Sequence, residues 1–280
     1  MKPDALRDSI ETCMADGRGY PFFLNATSGT TVQGAFDNLS ELASIAESTG
    51  LWLHVDGSWG GPVLFSEKWR HLMQGIEKCD SLTINPHKLL NVPLQCSFLL
   101  FRRGKEALQG NSLDASYLFH SSEMRDNPGM KTLGCGRRGD AIKLYLAWLC
   151  YGTHGLGEHV ERGMDLARET IAMIRGQPDI LQLYPPPEPA FLQVCFRPYR
   201  AGFSDQQLSS IVKEVREALH AQRMFAVDFA PLPGARGDFV RLVTHPRTAA
   251  ADLQTLVNAI ATLGQAALDA HSPPSEKKTD

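Results

Sequence analysis

A chain of 280 residues with 43% hydrophobic and 21% charged residues has the make-up of a water-soluble globular protein, large enough for one big domain or two ordinary ones. A net charge near −3 leaves no basic footprint for nucleic acid or an anionic membrane surface. No apolar run reaches the length of a membrane span, and the N-terminal MKPDALRDSIE lacks the apolar centre of a signal peptide.

Asp4 to Met14 reads as a helix with Leu6, Ile10 and Met14 on one face, stopped by Gly17 and Gly19. Phe22 to Ala26 is a short apolar strand, followed by a hydroxyl-rich turn, Thr27-Ser28-Gly29-Thr30-Thr31. By itself such a turn most simply bonds its own backbone. A helix from Asn38 to Thr49 carries Leu39, Leu42, Ala43 and Ala46 on one side, with Gly50 as its C-terminal cap. Trp52–Asp56 is the next strand, and the strand–helix–strand order predicts parallel pairing. Ser66 to Ile76 is expected to be helical, with Trp69, Leu72 and Ile76 as its buried stripe. Ser81–Ile84 and Ser97 to Phe101 are two further strands. Asn111 to Gly136 is a long segment without periodicity, the kind that is commonly functional or disordered.

Helices are expected at Gly139 to Tyr151 and Leu156 to Arg175. The run Pro185-Pro186-Pro187-Glu188-Pro189 reads as an extended linker. Beyond it come a strand from Leu192 to Arg197, an amphipathic helix from Asp205 to Arg223, a strand from Phe239 to Thr244 and a last helix capped by Thr248. The tail from His271 is polar and reads as disordered. The six cysteines (Cys13, Cys79, Cys96, Cys135, Cys150, Cys195) have no C-x-x-C or metal-site spacing and read as cytosolic free thiols. The nine histidines form no H-x-x-x-H pair, so no metal site is expected.

Chemistry concentrates at the ends of two strands. Asp56 closes the first, and Asn85, His87 and Lys88 follow the second. In an open parallel sheet, ligands bind at the carboxyl ends of the strands. A carboxylate and an amine would then face one crevice. That is the pair pyridoxal phosphate needs: an amine for a Schiff base and a carboxylate to keep the pyridine nitrogen protonated.

With HVDGSWGGP, NPHKLL, LQCSFLL and ASYLF in this order, the chain resembles the group II pyridoxal-phosphate amino-acid decarboxylases, in their glutamate and cysteine-sulfinate branch. The resemblance runs from about Pro3 to Leu268, and family members carry a further upstream segment. It implies an α/β fold: part of the large domain of a fold-type-I pyridoxal-phosphate transferase with a mainly parallel sheet, then a small α+β C-terminal domain. The expected division is 1–153 for the cofactor-binding part, 154–270 for a bridging helix and small domain, and 271–280 for the tail. By the same resemblance Lys88 attaches the cofactor, Asp56 faces the pyridine nitrogen, and Thr31, Asn85, His87 and Ser58 surround the ring and phosphate. Tyr117 would protonate the carbon that lost carbon dioxide, although a tyrosine there could equally anchor its loop by ring burial. Arg241, a charge within the apolar strand FVRLV, would bind a substrate carboxylate, with a structural salt bridge as the alternative. Gly57-Ser58 departs from the family's usual Ala-Ala. The implied activity is decarboxylation of glutamate, aspartate or cysteine sulfinate by a cytoplasmic homodimer that engages neither nucleic acid nor membrane. The alternatives are another pyridoxal-phosphate reaction or a non-catalytic fragment without cofactor.

Overall fold

The computed structural model describes residues 1–17, 19–105, 110, 136–184, 190–231 and 237–271. Tyr117, the 185–189 linker and residues 272–280 lie outside them. The chain forms two compact units, one of residues 1–29 and 36–158, the other of residues 30–35 and 159–280. Among the described residues, no helix is long and apolar enough to cross a membrane.

The first unit opens with α1 (Pro3–Ala15), which buries Ile10. Its sheet has the order β1-β2-β3-β4, from β1 (Phe23–Thr27), β2 (Trp52–Asp56), β3 (Ser81–Ile84) and β4 (Phe98–Phe101). The first three strands run parallel and β4 antiparallel to β3. Register brings Thr27, Asp56 and Thr83 to one level across the sheet. The connection between β1 and β2 is α2 (Leu39–Thr49), whose ends are written in the sequence. Asn38 caps its start by accepting from the Glu41 N–H, and Gly50 ends it at φ 72°, a left-handed conformation that suits glycine. Its stripe of Leu42, Ala43, Ile45 and Ala46 is buried, as are Leu24, Ala26, Leu53 and Val55 of the strands it packs on. Side chains alternate across a strand, so Trp52, His54 and Asp56 share the opposite face of β2 and are half-buried.

Residues 61–78 correct the sequence reading. In place of one helix there are three short 3₁₀ turns, Gly61–Phe65, Arg70–Met73 and Ile76–Lys78. Met73, which the expected stripe omitted, is buried, whereas Trp69, Leu72 and Ile76 are only half-buried. The Ser66 hydroxyl accepts from the Trp69 N–H at the start of a turn, and Gly75, at φ 98° where a Cβ would meet the Ser40 backbone, separates the second 3₁₀ turn from the third. The helices expected at 139–151 and 156–175 form one run, α4 (Ala141–Arg175), interrupted at Gly152 (φ 66°, ψ 176°). On its N-terminal part, Leu144 and Ala147 pack inward, while Ile142, Tyr145, Leu146 and Leu149 stand exposed along one side.

The second unit is an antiparallel sheet of order β5-β6-β8-β7, formed by β5 (Leu181–Leu183), β6 (Gln193–Pro198), β8 (Asp238–Val243) and β7 (Asp228–Pro231). The sequence reading missed β5 and β7, both only three or four residues long. On the sheet lie α5 (Asp205–Ala221) and α6 (Ala250–Ala270). The expected stripe of α5, Leu208, Ile211, Val212, Val215 and Leu219, is buried throughout against Val194, Phe196 and Val240. Thr248 does not cap α6. Ala249 holds the cap position and has no side-chain oxygen with which to accept a bond, while the Thr248 N–H closes a turn onto the His245 carbonyl. Two of the buried cysteines are poor nucleophiles: burial pushes the Cys79 thiol up to about 12 and Cys195 up to about 11.

A reciprocal capping box starts α5. The Ser204 hydroxyl accepts from the Gln207 N–H, and the Gln207 side chain accepts from the Ser204 N–H. Ser204→Ala is expected to cost about 1 kcal/mol in urea unfolding. An unchanged midpoint would show that the box contributes nothing to this unit.

Candidate active site

Of the candidate side chains, Asp56, Ser58, Asn85, His87 and Lys88 lie where β2 and β3 end. After Asp56 the chain turns at once: the Ser58 N–H donates to Asp56 Oδ1 at 3.0 Å, and the Gly61 N–H closes onto the Gly57 carbonyl at 2.7 Å. An Asp accepting from the N–H two residues on is the usual device of a tight turn. The turn is braced from β1. The Ser28 N–H donates to the Asp56 carbonyl at 2.9 Å, and the Gly60 N–H donates to the Ser28 carbonyl at 3.0 Å. The two loops touch so closely that a Cβ on Gly60 would sit 2.5 Å from that carbonyl oxygen.

β3 ends at Ile84, and Asn85-Pro86 redirects the chain. Pro86 opens a single helical turn, α3 (Pro86–Leu89), at the position where a proline's missing N–H costs nothing. Leu89 and Leu90 are fully buried and anchor the turn. It delivers Lys88 toward Ser58: Nζ donates to Ser58 Oγ at 3.2 Å and lies 5.9 Å from the Trp59 ring centre. Lys88 and Asp56 thus form no direct ion pair. Each contacts Ser58, one through its hydroxyl and the other through its N–H. His87 Nδ1 is fixed against Cys96, 2.7 Å from the carbonyl oxygen and 3.1 Å from the N–H. Asn85 Oδ1 is buried with no hydrogen-bond partner among the described residues.

This donor set fits a pyridoxal group. Asp56 has one oxygen bonded to Ser58, and its other oxygen has no protein partner among the described residues, so it can accept from a ring N–H. An amine stands one residue's width away, and the orphaned Asn85 oxygen can accept a further donor.

A second polar chain lies beneath Asp56 on the same face. The Trp52 indole N–H donates to Ser81 Oγ at 2.9 Å, Ser81 Oγ lies 2.8 Å from His54 Nδ1, and Thr83 Oγ1 lies 3.3 Å from His54 Nε2. Ser81 is buried, and among the described residues its proton has only His54 Nδ1 as acceptor. His54 then carries its own proton on Nε2, facing Thr83. Burial lowers its pKa below the ordinary 6.5, although the nearby Asp56 charge opposes the shift. The sequence reading passed over His54, yet the two-residue period of Trp52-Leu53-His54-Val55-Asp56 already put it on the face of Asp56.

Thr31 and Arg241 belong to the second unit. There Arg241 Nη1 donates to the Thr31 carbonyl at 2.9 Å, while its buried Nε has no partner among the described residues. Among the described residues no carboxylate pairs with Arg241. A further ion pair of this unit joins a buried arginine to an exposed carboxylate. Arg197 is 5% exposed, bonds Asp205 at 2.9 Å and lies 4.4 Å from the Phe239 ring centre. The turn hydroxyl that bonds local backbone is that of Thr30, which accepts from the Ala35 N–H. Among the described residues no three ligand side chains gather as a metal would require.

The family profile described as "Pyridoxal-dependent decarboxylase conserved domain" matches residues 1–199. The L-aspartate decarboxylase dtxS4 of Metarhizium robertsii is 40% identical over 270 residues, which is 95% of this chain and 53% of that protein. The human cysteine sulfinic acid decarboxylase is 37% identical over 278 residues, covering 95% and 55%. A crystal structure of mouse CSAD in apo form superposes with a TM-score of 0.86 at 35% identity, over 94% of this chain and 56% of that one. The chain therefore spans about half the length of the curated relatives it matches.

With its pKa lowered by folding, His54 is protonated first in the unfolded chain. The stability tied to its neutral form is complete above about pH 6.5 and is lost as pH falls toward the folded value. His245, also lowered chiefly by burial, acts in the same direction. Urea midpoints should therefore fall between pH 7 and pH 5, and less steeply in His54→Gln. An equal slope in both proteins would show that His54 is not among the groups responsible.

Proposed function

We propose, because the chain belongs to the pyridoxal-dependent decarboxylase family, that it carries the lysine-bearing part of a carboxy-lyase that removes carbon dioxide from an acidic amino acid. The observation that carries this reading is the Ser58 turn, which holds an amine and a carboxylate on either side of one residue. The names of the relatives, aspartate and cysteine sulfinic acid decarboxylases, support an acidic substrate. Residues 1–153 supply the cofactor-binding part and 154–270 the smaller domain.

When bound, pyridoxal phosphate supplies a protonated ring that takes up the electron pair left as carbon dioxide departs. The rest falls to this chain. Lys88 would provide the amine to which the group attaches. Asp56 keeps the proton on the ring nitrogen through its second oxygen, a role for which a carboxylate with one committed oxygen is well prepared. Asn85 leads into the lysine turn and His87 lies within it, where the Cys96 backbone fixes which way the imidazole points. Thr31 completes the cofactor shell. Arg241, oriented by the Thr31 carbonyl, offers its remaining donors to a substrate carboxylate. Tyr117 returns the proton to the carbon that lost carbon dioxide.

The reading extends to a cytoplasmic homodimer. Its supports are the free thiols of Cys13, Cys79, Cys96, Cys150 and Cys195, and the exposed stripe of Ile142, Tyr145, Leu146 and Leu149, an apolar surface of the kind subunit contacts cover.

The test combines binding and turnover. Protein mixed with pyridoxal phosphate should gain a visible absorption band that borohydride removes, leaving the reduced cofactor on the Lys88 peptide. Carbon dioxide should be released from carboxyl-labelled aspartate, glutamate or cysteine sulfinate. Lys88→Ala should abolish both signals, and Asp56→Asn should slow release by about 10²-fold or more. No band at any cofactor excess would favour the alternative of a chain without cofactor. A band without carbon dioxide release would favour a different pyridoxal-phosphate reaction.

A further inference from the structure

Ser58 contacts both ends of the proposed site, and it does so with different atoms. Its N–H holds Asp56 Oδ1 at 3.0 Å, a bond that any residue at this position could make. Its hydroxyl receives Lys88 Nζ at 3.2 Å, a bond that an alanine side chain could not make. The hydroxyl is carried on a rigid support, because the turn is closed by the Gly61 N–H onto the Gly57 carbonyl and braced by the Ser28 carbonyl through Gly60. The lysine, in contrast, reaches the turn on a long flexible stem and would sample many rotamers if unbound.

From this geometry we infer that Ser58 is a positioning residue for Lys88: its hydroxyl parks the ε-amine at a set place beside Asp56. The backbone half of the clamp fixes the carboxylate and the side-chain half fixes the amine, so one residue sets the gap between them. The Trp59 ring, 5.9 Å from Nζ, borders the parked amine. The inference deepens the proposed function and rests on it for its purpose, but the parked amine is a property of the protein without cofactor.

The experiment is therefore done on cofactor-free protein. A short pulse of acetic anhydride labels lysines in proportion to the freedom of their amines, and peptide mass spectrometry reads Lys88 against Lys143. The latter is an internal standard held by the Leu94 and Gln95 carbonyls. Ser58→Ala should raise the Lys88-to-Lys143 labelling ratio by roughly threefold to tenfold, the scale of losing one ordinary hydrogen bond. Ser58→Thr, which keeps a hydroxyl, should restore the original ratio, an outcome that a purely structural role for the side chain does not give. An unchanged ratio in Ser58→Ala, or a threonine variant that labels like the alanine one, overturns the inference. If circular dichroism shows the alanine variant unfolded, Ser58→Cys replaces it, because a thiol accepts weakly. The cysteine variant should raise the ratio, and an unchanged ratio would again overturn the inference. A raised ratio in a protein that gains no absorption band with pyridoxal phosphate would sink the decarboxylase reading and leave the role of Ser58 intact.

Discussion

The bond from the Ser58 N–H to Asp56 Oδ1 is the constraint on which the site depends. It takes a carboxylate at the end of a parallel strand and commits one oxygen to the protein's own turn, leaving the other outward. Because the turn is locked on both sides, by the Gly57 carbonyl and by the Ser28 carbonyl, the carboxylate cannot swing away. The lysine turn after β3 then needs only the correct register to bring an amine alongside, and the pairing of Asp56 with Thr83 supplies it.

Glycines make this closeness possible. Gly29 at φ 83° and Gly60 press the two loops together, and any side chain on either would meet backbone atoms within 3 Å. Beneath them, the chain from Trp52 through Ser81 and His54 to Thr83 satisfies polar groups that the sheet would otherwise bury unpaired. That arrangement holds the β2 and β3 side chains on the Asp56 face in fixed orientations. A neutral His54 also leaves the negative charge of Asp56 without a cation beside it on the strand, so the charge stays available to a ring nitrogen.

Much of this was legible in the sequence. Trp52–Asp56 and Ser81–Ile84 were readable to the residue, because short apolar runs bounded by Asp and by Asn-Pro leave few other places to end a strand. The α5 stripe was equally plain from its helical spacing. Elsewhere one pattern was compatible with two structures. Apolar residues at Trp69, Leu72, Met73 and Ile76 suit an α-helix or a series of 3₁₀ turns, and the left-handed Gly75 that separates two of those turns leaves no mark in the apolar pattern. β7 is too short to announce itself, and it ends on Pro231. The acceptor for Arg241 lies 210 residues earlier in the chain, a distance over which no local pattern speaks. The role of Ser58 was half visible. Its departure from alanine could be read, but its bond to Lys88 needed coordinates.

The central claim is that Asp56 and Lys88 flank the same ring. A crystal structure of the chain loaded with pyridoxal phosphate and reduced with borohydride tests it most directly. The account predicts continuous density from Lys88 Nζ into the cofactor, with the ring nitrogen within hydrogen-bond distance of the Asp56 oxygen not held by Ser58. Density joined to another lysine, or a ring nitrogen turned away from Asp56, would contradict it.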